Sequence, residues 1–374
     1  MLFRKVKVLV GAGIGQFRRS ISFDRLQNSS TKPWRDSGSA IIVAPMNNNP
    51  PYSLGYLMIE RSKGSGVAPG CVVFPGGVVS PVDFSPRWTN LYRDANIDLG
   101  SFQFFDKNAH TPEIYSREGT DAFPYPSSVV FRLAAIRETF EEVGILICRK
   151  TDRASNLCDY DYDYEQLSDR KVVQAWQTKI RKSPEEFINL CVELKCVPDL
   201  NALSDWSEWL TPTSLKPKAR FDTIFYMLIL PKMPRVAYDT HEVASAQWAS
   251  SASLLKDHLE GKIKLMPPQL YELSRMLNLK SIPEFEERVL RRQKLGIERF
   301  FPIVEQALDG ILFLLPGDDR YSKEPDVLTF SKPQKLDQTF EQLQSSGQKF
   351  HRAQLTKDGA YTTVINVERF GHAY

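Results

Sequence analysis

The sequence predicts an α/β protein with a mixed sheet held between helices. Three observations carry that expectation. Short apolar runs of strand character recur at 39–43, 54–59, 71–74, 220–230 and 244–248. A long helix pattern ending at Gly144 breaks into that series. From about residue 268 onward the pattern turns helical.

In chain order, the first two strands flank Pro/Asn-rich turn material at 45–51, and the third runs into a Gly76-Gly77 turn. Residues 79–127 are rich in Pro, Asp and aromatic side chains and keep no sustained period, so they read as an insertion. Ser127 or Ser128 is placed to N-cap the helix that follows. Leu133, Ile136, Phe140 and Val143 supply its apolar stripe. The run 145–148 reads as a strand, followed by helices near 165–181 and 184–194. Trp209 with the stretches 220–230 and 244–248 completes the strand set. Further on, 284–295 carries Arg288, Arg291, Arg292 and Lys294, the pattern of a solvated helix face. The tail from about 331 is polar, with a late strand candidate at 361–367.

The helix ending at Gly144 also carries the chemistry. Glu138 and Glu142 stand at i and i+4 and share a face, with Glu141 beside them. Like charges at that spacing cost about 0.2–0.5 kcal/mol per pair, and the negative end of the helix dipole adds to the penalty. A hard divalent cation with oxygen ligands reverses the sign of that repulsion. The alternative is a solvated acidic face. Upstream, the apolar run Cys71-Val72-Val73 leads into Phe74-Pro75-Gly76-Gly77, whose glycines let backbone approach a phosphate.

Together the Phe-Pro-Gly-Gly turn and Arg137-Glu138-x-x-Glu141-Glu142-x-Gly144 resemble the Nudix hydrolase family. The resemblance implies a Nudix α/β/α sandwich with a mixed sheet, a long insertion inside the box and a helical C-terminal extension. Two departures stand out. Residues 78–136 separate Gly77 from Arg137 where the family box carries 13. The box's upstream Glu sits eight residues before the Arg, a position held here by Val129, so that carboxylate is missing or supplied from elsewhere.

The split box, with Gly70-x-x-x-Phe74-Pro75-Gly76-Gly77, looks like the acyl-coenzyme A diphosphatase subgroup. So do Pro198-Asp199, Trp209-Leu210-Thr211-Pro212, Arg220-Phe221-Asp222-Thr223, Pro267-Pro268-Gln269, Tyr271-Glu272 and Leu314-Leu315-Pro316-Gly317-Asp318. Coenzyme A hydrolases elsewhere in the family carry a second arginine before the turn; here Arg61 is present and the later position is Gly66. By resemblance, Glu138 and Glu142 are the principal Mg2+ (or Mn2+) ligands, and Glu141 is an added ligand or water bridge. Arg137 orients a carboxylate, while Glu242 is a candidate further ligand or general base. Arg61, Phe74, Gly76 and Gly77 are the expected substrate contacts, and the insertion is expected to help form the acyl or pantetheine pocket. The implied reaction is hydrolysis of coenzyme A and acyl-coenzyme A to 3′,5′-adenosine bisphosphate and (acyl-)4′-phosphopantetheine. Two rivals remain open: a hydrolase of another nucleoside diphosphate derivative, and a non-catalytic nucleotide-binding module.

Composition narrows the classes. With 42% apolar and 25% charged residues the chain reads as an ordinary soluble globular protein, and a net charge of +3 gives no footprint for nucleic acid. No apolar run reaches the ~18 residues of a membrane helix. The five cysteines form no Cys-x-x-Cys pair, which argues for reduced thiols and against disulfides or structural zinc. Residues 1–23 are basic and free of acids, with serines gathering at 20–30, the pattern of a mitochondrial targeting peptide; a peroxisomal location is the alternative. Gly11-Ala12-Gly13-Ile14-Gly15 imitates a dinucleotide turn without its spacing, and Asp159–Tyr164 lacks the glycine of a calcium loop. The expected organisation is a targeting peptide over 1–30, the Nudix domain over 36–275 and a helical extension with polar tail over 276–374. The partner expected is a small molecule, and the sequence leaves the oligomeric state open.

Overall fold

The structure is a computed structural model, which describes residues 33–374 apart from 47–53, 65, 107–108, 117–124, 152–166, 168, 215–218, 370–371 and 374. The targeting stretch, its glycine run, the 159–164 segment and Cys158 therefore lie outside the described residues.

At the centre is β1 (Arg35–Pro45), flanked by parallel β8 (Phe221–Ile229) on one side. Its other side is shared by two antiparallel strands: β2 (Leu54–Arg61) pairs at Val43–Pro45, and β4 (Gly76–Val78) pairs at Ser37–Ser39. Next, β3 (Val72–Val73) and β9 (Val243–Ala249) add to β2. On the far side, β7 (Ser204–Leu210) pairs with β8 and carries β10 (Arg299–Phe300) at the edge. This is the mixed sheet expected from the sequence.

Strand periodicity sends alternate side chains to opposite faces, and both faces are covered. Ala40, Ile42, Leu57, Ile59, Ile224 and Tyr226 enter one apolar cluster; Ile41, Val43, Tyr56, Met58, Phe225 and Met227 enter another. The first cluster packs α2 (Ser127–Val143) against the sheet, with Val129, Leu133, Ile136, Phe140 and Val143 buried. Gly38 makes the close approach possible, because a Cβ there would stand 2.8 Å from the Phe131 carbonyl oxygen. Gly144 closes α2 in the left-handed conformation at φ 71°. The expected serine cap is not made: Pro126 is the N-cap, and Ser127 Oγ instead donates to the Tyr115 carbonyl at 2.6 Å.

Residues 79–127 are less irregular than they read. They hold the short helix α1 (Pro86–Asp94) and feed Trp88, Tyr92, Leu99, Ile114 and Tyr125 into the first cluster. Behind α2 follow β5 (Cys148–Lys150), α3 (Arg170–Lys182), α4 (Glu186–Glu193) and β6 (Cys196–Pro198), with β5 and β6 forming a separate two-stranded ladder. Residues 145–147 are buried but unpaired as a strand; pairing begins only at Cys148. The opposite face of the sheet is covered by α5 (Ser251–Leu259), α6 (Pro267–Met276) and α7 (Ile282–Leu295), which supply Leu254, Leu270, Leu273, Phe285 and Val289.

The helical reading of the C-terminal part holds only through Leu295. Beyond it lie β11 (Ile303–Gln306), β12 (Gly310–Leu314), β13 (Gln334–Lys335), α8 (Phe340–Ser345), β14 (His351–Thr356) and β15 (Tyr361–Ile365), the strands forming a five-stranded sheet. Its Tyr361 and Ile365 pack against the second cluster. A buried ion pair of Asp318 with Arg352 joins the chain after β12 to β14, and a 2.5 Å hydrogen bond between Tyr271 Oη and His351 Nε2 ties this sheet to α6. No helix among the described residues is long and apolar enough to cross a membrane.

Candidate active site

The acidic face of α2 meets the Phe74–Gly77 turn where β4 lies against β1. Two bonds to Pro75 fix the turn: the Ala40 amide and the Ser39 hydroxyl both donate to its carbonyl at 2.8 Å. The Gly76 amide then donates to Glu142 Oε2 at 2.8 Å, while Arg61 Nη1 lies 3.5 Å from Glu142 Oε1. Both glycines are required by space. A Cβ on Gly77 would fall 2.3 Å from the Glu138 carboxylate, and one on Gly76 (φ +147°) would strike Gly38 and Ser39.

Arg137 is buried, not a surface partner. Its Nε and Nη2 make a two-point contact with Asp83 at 2.9 Å each; Nη1 reaches Glu138 Oε1 and Glu141 Oε1 at 2.7 Å each, and Nη2 also donates to the Val78 carbonyl. Of the two alternatives left by Val129, a carboxylate missing or supplied from elsewhere, Asp83 fits the second. Val129 is a core residue, and the box carboxylate is Asp83, six residues after Gly77. A box of 13 residues with its Glu eight before the Arg places that Glu six after the glycine, so the insertion begins after Asp83. Counting forward from Gly77 finds it; counting back from Arg137 cannot.

The carboxylates are electrostatically frustrated. Burial is the largest effect on each of Glu138, Glu141 and Glu142, pushing all three above the usual carboxylate range. The charge of Glu138 then raises Glu141 and Glu142 further. Glu141 is pushed up to about 7. Glu242, exposed at the start of β9, is close enough for its charge to act on all three. Among the described residues, no three of these acids gather one oxygen each within 4.8 Å: Glu138 and Glu141 turn to Arg137, and Glu142 turns to Gly76. The donor set still fits a hard divalent cation. It offers only carboxylate oxygens, they are desolvated, and their mutual repulsion is offset in part by Arg137, Arg61 and the Gly76 amide.

Beside the acids opens a cavity of about 340 Å³. Arg61, Phe74, Gly76 and Gly77 all line it, so the structure brings the four expected substrate contacts to one wall. Other walls come from Thr223 of β8, Trp209 of β7 and Pro267 and Gln269 of α6, which belong to stretches that resembled the subgroup but carried no site role, and from Phe225 of β8 and Phe313 of the C-terminal sheet, which the sequence did not single out. Trp209 is held from behind by Glu272, which accepts from the indoles of Trp206 and Trp209 and from Ser207 Oγ. That accounts for the Tyr271-Glu272 motif. Among the described residues, none between 79 and 127 lines this cavity. The described residues of the insertion pack in the core behind α2.

Comparison with known proteins agrees with this geometry. The family profile described as the NUDT19 Nudix domain matches residues 34–276, and that of the NUDT19 C-terminal domain matches 306–366. The acyl-coenzyme A diphosphatase NUDT19 of Xenopus laevis is 33% identical, covering 91% of this chain and 95% of its own. The proteins of the same name from Gallus gallus and Homo sapiens are 32% and 31% identical, over 91% and 93% of this chain and 94% and 97% of theirs. The chain thus belongs to the NUDT19 family of Nudix proteins.

Proposed function

We propose that this protein is a magnesium-dependent Nudix diphosphatase that hydrolyses coenzyme A and acyl-coenzyme A. The products would be 3′,5′-adenosine bisphosphate and (acyl-)4′-phosphopantetheine. The observation that carries the reading is the acidic face of α2 meeting a largely apolar cavity through the Gly76-Gly77 turn. The NUDT19 relatives, matched along nearly their whole length, supply the substrate class.

When bound, magnesium (or manganese) neutralises phosphate oxygens and lowers the pKa of a bound water to about 7. Glu138 and Glu142 would hold it, with Glu141 as an added ligand or through water. Arg137, anchored on Asp83, holds Glu138 and Glu141 on one side of the site. The Gly76 amide fixes Glu142, and the bare backbone of Gly76-Gly77 leaves room for a diphosphate oxygen. Glu242 faces the same acids from β9 and is suited to take the proton of the attacking water. Water then adds to one phosphorus as the bridging P–O bond breaks, a step that requires mainly positioning and charge stabilisation.

Products identified by mass spectrometry test this reading on coenzyme A, an acyl-coenzyme A, NADH and ADP-ribose, with magnesium or EDTA. Adenosine bisphosphate from the coenzyme A substrates alone, abolished by EDTA, is the expected result. Cleavage confined to NADH or ADP-ribose would keep the Nudix chemistry and overturn the substrate.

A further inference from the structure

The cysteines, patternless in sequence, converge in space. Cys148 of β5 and Cys196 of β6 project from one face of the two-stranded ladder: Cys148 opposes Pro198 and Lys150 opposes Cys196, so the two are diagonal neighbours. Cys191 comes down from α4. The three sulfurs lie within 4.8 Å of one another, all buried, and the thiols hydrogen-bond among themselves. They are the one group of His, Cys, Asp and Glu ligand atoms among the described residues gathered this tightly. From this geometry we propose that Cys148, Cys191 and Cys196 form a three-thiolate site for a soft, thiophilic metal ion of the Cu(I) class.

The chemistry of the donors selects the ion. A structural zinc site closes with four ligands, and no fourth candidate is gathered here among the described residues. Three soft sulfurs suit Cu(I). With metal–sulfur bonds of about 2.3 Å, a trigonal site holds its sulfurs about 4 Å apart. The triad, with its sulfurs within 4.8 Å of one another, therefore needs at most a small contraction. Burial holds Cys148 and Cys191 above the usual thiol range, so both stay protonated without metal; binding releases the thiol protons and strengthens as pH rises.

The site also has a mechanical rationale. A lone two-stranded ladder of three-residue strands is marginal by itself. This one stands directly behind the α2 C-terminus, where the Asp199 amide donates to the Ile147 carbonyl at 3.0 Å. A metal joining β5, β6 and α4 would fasten the end of the helix that carries the acids.

Anaerobic titration of the reduced full-length protein with Cu(I) held by a chromogenic competitor tests the site. Expected are one ion withdrawn per chain, a thiolate-to-metal absorption band and a raised melting temperature. Cys191→Ser should weaken binding about 100-fold or more, whereas Cys71→Ser, remote from the triad, should not. X-ray absorption on the wild-type complex should find three sulfurs per copper, a readout independent of how well any variant folds. No ion withdrawn, binding unchanged in Cys191→Ser, or a first shell of nitrogen and oxygen would each overturn the proposal.

Discussion

At the residue scale the decisive contact is Arg137 with Asp83. A buried guanidinium must be fully paired, and losing one carboxylate of such a pair typically costs about 3–5 kcal/mol. Asp83→Asn should approach the lower end, since Glu138 and Glu141 still hold Nη1. Hydrolysis should fall roughly 10–100-fold, as for other groups that orient metal ligands. Denaturant melts and kcat measured together, with Asp83→Glu restoring part of both, check this. Equal activity in Asp83→Asn would show that Arg137 needs no anchor.

The raised carboxylates fix a pH dependence at the same scale. Glu141 moves up to about 7 in the folded chain, above its unfolded value, so folding favours its protonated form. Its contribution to stability is present at low pH and is lost as pH rises through about 7. The metal-free protein should therefore melt at lower temperature at pH 7.5 than at pH 5.5. Magnesium should raise the melting temperature more at the higher pH, because binding requires the ionised form. Calorimetric melts in EDTA and in magnesium read this directly; a magnesium effect larger at pH 5.5 would contradict it.

At the scale of elements, the closeness of α2 to the sheet is set by glycines. Gly38→Ala pushes a methyl into the Phe131 carbonyl and should cost about 1–3 kcal/mol of stability. Gly77→Ala displaces the Glu138 carboxylate and should lower kcat with a smaller effect on stability. Opposite outcomes for the two would reverse these assignments. The legibility of the sequence divides along the same lines. β1, β2, β8, β9 and α2 were readable because their apolar spacing matches one period and both sheet faces are covered. Of the C-terminal strands only β15 was, within the candidate at 361–367; the others are short, and β13 is exposed and polar. The 145–147 run misread as strand because burial by tertiary packing and burial in a ladder look alike in a short apolar run. Glu138, Glu141, Glu142 and the Gly-Gly turn were legible because they are local in sequence. The cavity walls were not, since Trp209, Gln269 and Phe313 meet only through the tertiary fold.

For the whole molecule, the C-terminal sheet is part of the site and not an appendage. Phe313 reaches the cavity, Asp318 fastens the chain after β12 to β14 through Arg352 and the His351 amide, and the His351 ring binds Tyr271 of α6. Phe313→Ala should raise KM for an acyl-coenzyme A with a smaller effect on kcat, measured by steady-state kinetics; an unchanged KM would remove the sheet from substrate binding.

The hydrolysis proposed above depends on the acids of α2. Glu142→Gln keeps the side chain's shape and an oxygen for the Gly76 amide while removing the charge. Its rate of adenosine bisphosphate release, followed by mass spectrometry on an acyl-coenzyme A at saturating magnesium, is the most direct measurement. A loss beyond the roughly 100-fold typical of supporting residues, with an unaltered melting curve, is expected. Near wild-type turnover in the folded variant would contradict it and place the chemistry elsewhere.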